Sequence, residues 1–283
     1  MQAGARPYTV VAPTGPRLPI LLSVPHCGIA FPDEIKSQYK ENMIKAPDDT
    51  DWFVDKLYDF ATTMGVTLLK AVYSRWVVDL NRDPESKPLY TDGRIITGLC
   101  PVSDFFGNPI YNDNRQFVDE EEIARRVHLY YRPYHQRLQA LLDDLKLQFG
   151  KVLLWDCHSI RQFVPTIHKD KFPDLILGDA DGTSASPGLI EVALRGLESG
   201  GYQVSHNYPF KGGYITRNFG RPLDNQHALQ LEMSKVKYMD DEEVRYDMER
   251  AGGVRKVLVQ TLERLAEVLN PSPRLPSERE EDK

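Results

Sequence analysis

The chain alternates short apolar runs with longer segments in which apolar residues recur every three or four positions. The apolar runs predict β-strands at residues 20–24, 66–73, 76–80, 152–155, 175–177, 202–204 and 229–233. Helical spacing predicts amphipathic helices at residues 51–64, 119–149, 188–199 and 241–269. Because strands and helices alternate, we expect an α/β fold with a mixed, largely parallel central sheet and helices on both faces.

Polar residues directly follow several of the predicted strands. His26 comes just after the first run, Asn81 and Arg82 follow the third, and His158 lies in a predicted turn after the fourth. In open α/β sheets, ligands bind at the carboxyl ends of the strands. We therefore expect these side chains to meet at one edge of the sheet.

The domain organisation follows from length and local composition. A chain of 283 residues fits one large domain, which we place at residues 1–270. Residues 271–283 are rich in proline and charge and predict a disordered tail. Residues 84–117 show little periodicity and predict a long surface loop, of a kind that often covers an active site. Pro133 is expected to kink the helix predicted at 119–149.

Charge and hydropathy exclude several classes of protein. The net charge of −6 argues against nucleic acid as the main partner, because phosphate binding needs a concentrated basic surface. No apolar run approaches the roughly 20 residues that span a membrane, and the amino terminus lacks the pattern of a signal peptide. Three widely spaced cysteines do not predict a disulfide framework. We expect a cytoplasmic protein that acts on a small molecule; the sequence does not indicate its oligomeric state.

His26 and His158 are candidate metal ligands. Each follows an apolar strand in a turn of small residues, although a histidine in such a turn can also be purely structural. Catalytic zinc takes three protein ligands, and the third is expected from the acidic segment at residues 48–51. Asp51 is the preferred residue and Asp49 the alternative, since acids at a helix start also cap the helix. Asp156 is a candidate for orienting a histidine.

One acid and three arginines complete the candidate chemistry. Glu232 lies inside the apolar run LQLEM, where it is expected either to act as a base with a raised pKa or to pair with a buried arginine. Arg75 and Arg82 flank the predicted strand at 76–80, and Arg217 follows a pair of glycines. Arginine binds carboxylates through a rigid, permanently charged fork. A surface ion pair is the alternative for each of the three.

Taken together, these segments resemble the N-formylglutamate amidohydrolase family, which is related to zinc carboxypeptidases and aspartoacylases. The resemblance extends from about Ile20 to Tyr238. It rests on the order and spacing of SVPHCG, DDTDWFVDKLY, SRWVVDLNRDP, YYRPYH, LLWDCHS, PDLILGD, GGYITRNFG and LQLEM. It implies a zinc carboxypeptidase-like fold and the hydrolysis of N-formyl-L-glutamate to formate and L-glutamate, a step of histidine degradation.

The resemblance also implies roles for individual residues. Zinc is bound by two histidines and an acid, a general base takes a proton from water, and arginines stabilise the oxyanion and hold the substrate's carboxylates. The corresponding residues are His26, Asp51 and His158 for zinc, Glu232 as base, Arg75 for the oxyanion, Asn81 and Arg82 for the α-carboxylate, and Arg217 for the side-chain carboxylate.

One departure from the related enzymes concerns the acidic ligand. Those enzymes carry a His-x-x-Glu pair in which both residues bind the metal, whereas His26 is followed by Cys27, Gly28 and Ile29. The acid must therefore come from elsewhere in the chain, which is why Asp51 is assigned; Cys27 is a less favoured substitute. Two other functions remain open: a deacylase of another N-acyl acidic amino acid, and a non-catalytic protein that binds an acidic amino acid.

Overall fold

A mixed seven-stranded sheet forms the centre of the computed structural model, which describes residues 6–85, 97–112 and 118–270. The strand order is β1-β3-β2-β4-β7-β5-β6. In chain order the strands are β1 (Tyr8–Val11), β2 (Ile20–Val24), β3 (Thr67–Ala71), β4 (Val152–Ile160), β5 (Leu175–Gly178), β6 (Val204–His206) and β7 (Gln226–Ser234).

Helices cover both faces of this sheet, which confirms the predicted fold class. The α-helices of the described residues are α1 (Asp33–Lys36), α2 (Glu41–Lys45), α3 (Val54–Leu57), α4 (Glu120–Arg126), α5 (Arg132–Phe149), α6 (Pro187–Glu198), α7 (Tyr214–Phe219) and α8 (Met248–Leu269). On one face α6 and α8 pack against alternate residues of β4 and β7, such as Trp155 and Leu231. On the other face α5 packs against Leu154 and Ala228.

The central strands are parallel and end at the same edge. β2 pairs in parallel with β3 and β4, and β4 pairs in parallel with β7 along its whole length. β1 and β5 run antiparallel to β3 and β7 respectively, so the sheet is mixed. In the β4–β7 register His158 lies opposite Glu232, and Asp156 lies opposite Gln230. Because side chains alternate between faces, all four project from the face that carries α5.

The strand predicted at 76–80 was wrong, and the strand predicted at 152–155 extends further than expected. Backbone hydrogen bonds explain both differences. Residues 76–80 form turns instead of a strand, because their backbone bonds locally and to residue 99: Val77 N donates to Ser74 O at 2.9 Å and Asp79 N to Leu99 O at 2.7 Å. The apolar side chains of this segment are buried all the same. His158 lies within β4 and not in a turn after it, because the ladder to β7 continues through Ile160.

Helix boundaries also differ from the predicted ones. The segment at 51–64 holds only α3 and a 3₁₀ turn at Asp59–Thr62, and it starts from Phe53 with a left-handed backbone. The long helix at 119–149 is interrupted by a π turn at Val127–Tyr131, immediately before the predicted kink at Pro133. The last helix begins at residue 248, where the Asp247 side chain accepts hydrogen bonds from two backbone amides.

Residues 86–96 and 113–117 of the predicted loop lie outside the described residues. The whole of the predicted tail, residues 271–283, lies outside them as well. The described portion of the loop, 97–112, has no regular helix or strand, as expected. Within the described ranges no helix has the length and hydropathy needed to cross a membrane.

Arg126 joins the loop, α4 and the segment after α1. It is fully buried, and its Nη1 donates to the hydroxyls of Tyr39 and Tyr111 at 3.0 and 2.9 Å and to Val77 O at 3.1 Å. Its Nε forms an ion pair with Glu122 at 2.7 Å. Buried polar groups are costly without partners, so this single guanidinium satisfies several groups at once.

We therefore expect Arg126→Met to destabilise the fold by about 3 kcal/mol, because it leaves two buried hydroxyls and a carbonyl without their donor. Arg125→Met is the matched control: Arg125 also pairs with Glu122, but it is one-third exposed and should cost less than about 1 kcal/mol. Urea unfolding of both variants measures the difference. Equal losses in the two variants would show that burial of Arg126 has no special role.

Candidate metal centre and active site

Three separate segments meet at the carboxyl edge of β2 and β4. His26 lies two residues beyond β2, His158 lies near the end of β4, and Asp51 opens the turn before α3. The Asp51 amide donates to the His26 carbonyl at 3.0 Å, which ties two of the segments together. Gly28 allows the His26 turn to pack closely, because a Cβ there would lie 2.3 Å from the carbonyl oxygen of Tyr73.

The side chains of these three residues converge. His158 Nδ1 lies 3.2 Å from Asp51 Oδ2, His26 Nδ1 lies 3.6 Å from the same oxygen, and the two imidazole centroids are 4.9 Å apart. One candidate ligand atom from each residue lies within 4.8 Å of the others, and all three residues are buried. Two imidazole nitrogens and a carboxylate oxygen match the donor set of a catalytic zinc site. The group could hold a metal ion.

Each imidazole is held from behind by a carboxylate. His26 Nε2 lies 2.8 Å from Asp79 Oδ1, and His158 Nε2 lies 2.9 Å from Asp156 Oδ2. A carboxylate partner places the ring proton on Nε2 and leaves the Nδ1 lone pair for a metal. His26 Nδ1 is buried and has no hydrogen-bond partner among the described residues, as expected for a donor atom whose partner is an ion.

The electrostatics of the group favour a cation. Burial acts to raise the pKa of Asp51, but the hydrogen bond from His158 and the nearby imidazole of His26 outweigh it and hold this pKa well below its usual range. Burial acts to lower the pKa of His158, yet the charge of Asp156 and the hydrogen bonds of Asp156 and Asp51 raise it well above normal. A metal ion that binds Nδ1 must therefore displace a proton, which couples metal affinity to pH.

Asp79 links the metal group to the arginines, and the sequence analysis missed it. Oδ1 accepts from His26 Nε2 and from the Asn81 amide at 2.9 Å, and Oδ2 accepts from Arg75 Nη2 at 2.6 Å. Burial acts to raise its pKa, but the charges of Arg75 and Arg82 hold it well below normal. The signal was present in the sequence, because Asp79 stands inside the apolar run WVVDL just as Glu232 stands inside LQLEM.

The alternative acidic ligands are engaged elsewhere. Asp49 accepts from Trp76 Nε1 at 2.8 Å and from the Phe105 amide at 3.0 Å, and burial raises its pKa to about 6. Asp48 pairs with Arg161. Burial strongly raises the pKa of the Cys27 thiol, which disfavours the thiolate that binds metals. The structure thus brings Asp51, and neither Asp49 nor Cys27, to the two histidines.

Glu232 lies beside the metal group on the same face of the sheet. Its neighbour on that face, Gln230, places Nε2 3.5 Å from Glu232 Oε2. Glu232 as a residue is partly exposed, but burial of its carboxyl group raises the pKa to about 8. The charge of Asp51 adds to this shift, whereas His158 and Arg75 oppose it. A carboxylate with a pKa near neutrality suits proton transfer in both directions.

Arg75 is buried, and not all of its N–H groups donate a hydrogen bond to a described residue. Nη2 donates to Asp79, the guanidinium carbon lies 4.7 Å from the centre of the Phe105 ring, and Nε has no hydrogen-bond partner among the described residues. Coulombic attraction to Asp79 and Asp51 outweighs burial and keeps its pKa raised. A fixed cation with an unpartnered N–H is suited to a developing negative charge.

The residues predicted for the substrate's carboxylates differ in setting. Asn81 is buried, and its Oδ1 accepts from the Ile215 amide at 2.8 Å while its Nδ2 faces His158 and Gln230. Arg82 is part-buried, with Nε donating to Thr97 O at 3.1 Å.

Arg217 lies on the exposed side of α7 and donates to Gly212 O at 3.0 Å. Within the described ranges, no hydrogen bond or ion pair joins it to the metal group. Gln230 was not singled out from the sequence; its Oε1 accepts from the Gly213 amide at 2.8 Å and so holds the glycine pair against the site.

Two curated deformylases and one solved amidohydrolase structure are similar to this chain. The N-formylglutamate deformylase of Pseudomonas putida is 41% identical over 252 residues, which cover 88% of this chain and 92% of that protein. The N-formylglutamate deformylase of Pseudomonas aeruginosa is 40% identical over 253 residues, covering 88% and 93%. The crystal structure of N-formylglutamate amidohydrolase from Ralstonia eutropha JMP134 superposes with a TM-score of 0.78 at 30% identity, covering 94% of this chain and 98% of that one.

A family model agrees with these pairwise matches. The model described as N-formylglutamate amidohydrolase matches residues 18–239, a range that contains all the candidate site residues. The chain therefore belongs to the N-formylglutamate amidohydrolase family.

Proposed function

We propose that this chain is a zinc-dependent amidohydrolase that cleaves N-formyl-L-glutamate to formate and L-glutamate, as a step of histidine degradation. One observation carries the proposal: His26, Asp51 and His158 converge beside Glu232 in a chain that is 40% and 41% identical to two N-formylglutamate deformylases. The same family membership supports the reaction class, hydrolysis of a linear amide.

The residues present fit a zinc ion. The buried Nδ1 of His26 has no hydrogen-bond partner among the described residues and can bind a cation, and the donor set of two nitrogens and one oxygen is typical of catalytic zinc. When bound, zinc would lower the pKa of water and polarise a carbonyl oxygen. Asp79 and Asp156 hold the two imidazoles in the orientation that binding requires.

Glu232 moves the proton. Its ionised carboxylate takes a proton from the attacking water as oxygen adds to the formyl carbon. The protonated carboxyl then gives this proton to the leaving nitrogen, so that glutamate departs as an amine. Burial supports both steps, because a pKa raised to about 8 makes Glu232 a stronger base than an exposed glutamate and leaves its acid form populated near neutrality.

Arg75 stabilises the negative charge that develops on the former carbonyl oxygen. Its orientation is set by the ion pair with Asp79 and by the Phe105 ring, so no reorganisation is needed when the charge appears. Arg82 with Asn81 stays our assignment for the α-carboxylate of the substrate, and Arg217 our assignment for the side-chain carboxylate. The Asn81 side chain also contacts Gln230 and the Ile215 amide, and these bonds hold the loop before α7 in place.

The setting of the enzyme is part of the proposal. Cys27, Cys100 and Cys157 are all free thiols, which supports a reducing cytoplasm. We assign the activity to a single domain spanning residues 1–270.

The substrate is tested by measuring formate, acetate and succinate release from the corresponding N-acyl derivatives of glutamate and aspartate. We expect N-formyl-L-glutamate to be turned over fastest, and exhaustive chelation to abolish turnover until zinc is restored. Faster release of acetate or succinate would assign the chain to another acyl group. Tight binding of N-acyl amino acids without any turnover by the zinc-loaded protein would instead identify a binding protein.

The acidic ligand is tested by a matched pair of substitutions. Asp51→Asn should weaken zinc binding by at least about 100-fold, since even residues that only orient a ligand contribute about 10- to 100-fold. Asp49→Asn should leave zinc affinity within a few-fold, because Asp49 bonds to Trp76 and Phe105 and not to the histidines. Zinc content after dialysis against graded chelator measures both, and the opposite order would move the ligand to Asp49.

Glu232→Gln should lower kcat by about 100- to 10,000-fold while zinc content and melting temperature are kept, because the amide fills the same space but cannot take a proton. Glu242→Gln, an exposed change in the same part of the chain, is the control and should be silent. Formate release and elemental analysis are the measurements. Undiminished activity in Glu232→Gln would mean that another group is the base.

A further inference from the structure

Lys235 is a buried lysine immediately beyond the strand that carries Glu232. It opens the 3₁₀ turn Lys235–Lys237 that ends β7, and its side chain is only 3% exposed. The last β4–β7 pair joins Ile160 and Ser234, so Lys235 lies at the same edge of the sheet as the metal group. Lysine is almost never fully buried unless it is paired.

Within the described residues, no carboxylate forms an ion pair with this ammonium. Its one hydrogen bond within the described residues goes from Nζ to the backbone carbonyl of Asp48 at 3.2 Å, and no described carboxylate lies within 4.0 Å. Lys237, two positions on, shows the ordinary arrangement: it is half-buried and pairs with Asp174 at 2.7 Å. Lys235 therefore keeps hydrogen-bond donors that the described residues leave unused.

The hydrogen bond from Nζ to the Asp48 carbonyl at 3.2 Å places this ammonium against the segment that carries Asp51, three residues further on. Burial acts to lower the pKa of Lys235, and the strongest opposing influence is the charge of Asp51, followed by that of Asp48. Asp51 is the acid that lies between His26 and His158. This buried ammonium therefore lies at the carboxyl edge of the sheet, where ligands of α/β proteins bind.

The neighbouring acids are already neutralised by another residue. Arg161 pairs with Asp48, donates to Glu243 Oε2 at 2.9 Å, and so joins the two carboxylates. Glu243 also accepts from the Gln162 amide at 2.6 Å. Because these bonds hold both acids, neither is available to turn towards Lys235, and the cost of burying its charge is left to be offset by a ligand.

We propose that the Lys235 ammonium binds a carboxylate of the substrate. This inference rests on the proposed function, since N-formylglutamate carries two carboxylates and the net charge of the chain offers no general attraction to them. Arg217, assigned above to the side-chain carboxylate, is exposed and donates to Gly212, so Lys235, which is buried and has no ion pair with a described residue, gives the substrate a second and better-shielded cation. A charge-assisted hydrogen bond in a water-poor pocket is stronger than one at the surface.

The test compares Lys235→Met with Lys237→Met in the zinc-loaded protein. Lys235→Met should lower kcat/KM for N-formyl-L-glutamate by on the order of 100-fold, mainly through KM, because binding loses a buried ion pair. Zinc content should be unchanged, and the melting temperature should be unchanged or higher, because an unpaired buried charge has been removed. Lys237→Met should leave kcat/KM unchanged. Lys235→Gln keeps a donor for the Asp48 carbonyl and should behave like Lys235→Met if charge is what matters.

Two analogues decide which carboxylate is bound. N-formyl-L-glutamine lacks the charge of the side chain, and N-formyl-4-aminobutyrate lacks the α-carboxylate. The penalty of Lys235→Met should disappear with the analogue that lacks the bound group and remain with the other. An equal penalty for both analogues and for the parent substrate, or lost zinc in Lys235→Met and Lys235→Gln, would overturn the inference in favour of a structural role. Failure of the proposed function is distinguishable, because it would appear in the unaltered protein as absent formate release.

Discussion

Two buried carboxylates behind two imidazoles are the constraint on which the rest of the site depends. Asp79 and Asp156 each accept a hydrogen bond from the Nε2 of a histidine, and the Nδ1 atoms of both rings are thereby turned towards Asp51. Without these partners either ring could turn over and present the wrong nitrogen. The orientation of the candidate metal ligands is thus set by residues that would not touch the metal.

This arrangement concentrates negative charge in a buried region, and nearby arginine side chains neutralise part of it. Arg75 neutralises Asp79 directly and still keeps one N–H without a partner among the described residues. Arg161 pairs with Asp48 and Glu243, and Lys235 has no ion pair with a described residue. A metal ion would offset the negative charge of the acids around Asp51. An anionic substrate would offset the positive charge of Arg75 and Lys235.

The fold class could be predicted because its signals are local. Apolar runs such as residues 20–24 and 229–233 lie within strands, and helical periodicity placed α5, α6 and α8. The run at 76–80 was misassigned because burial and strand pairing leave the same apolar pattern, and only the partners of its backbone distinguish them. The helix predicted at 51–64 is shorter than expected because Phe53 has a left-handed backbone conformation. The spacing of apolar residues does not indicate such a conformation.

By itself, the sequence determined the fold class, the family and most of the side chains from which the site is built. Only the tertiary structure decided which of them meet: it brought Asp51 rather than Asp49 to the histidines, placed the candidate Asp156 behind His158, added Asp79 behind His26, and buried Lys235 without an ion pair to a described residue. The physical reason is that residue types and periodicity are properties of neighbouring positions. Hydrogen-bond partners and desolvation depend on segments more than a hundred positions apart, and these are brought together only when the sheet is assembled.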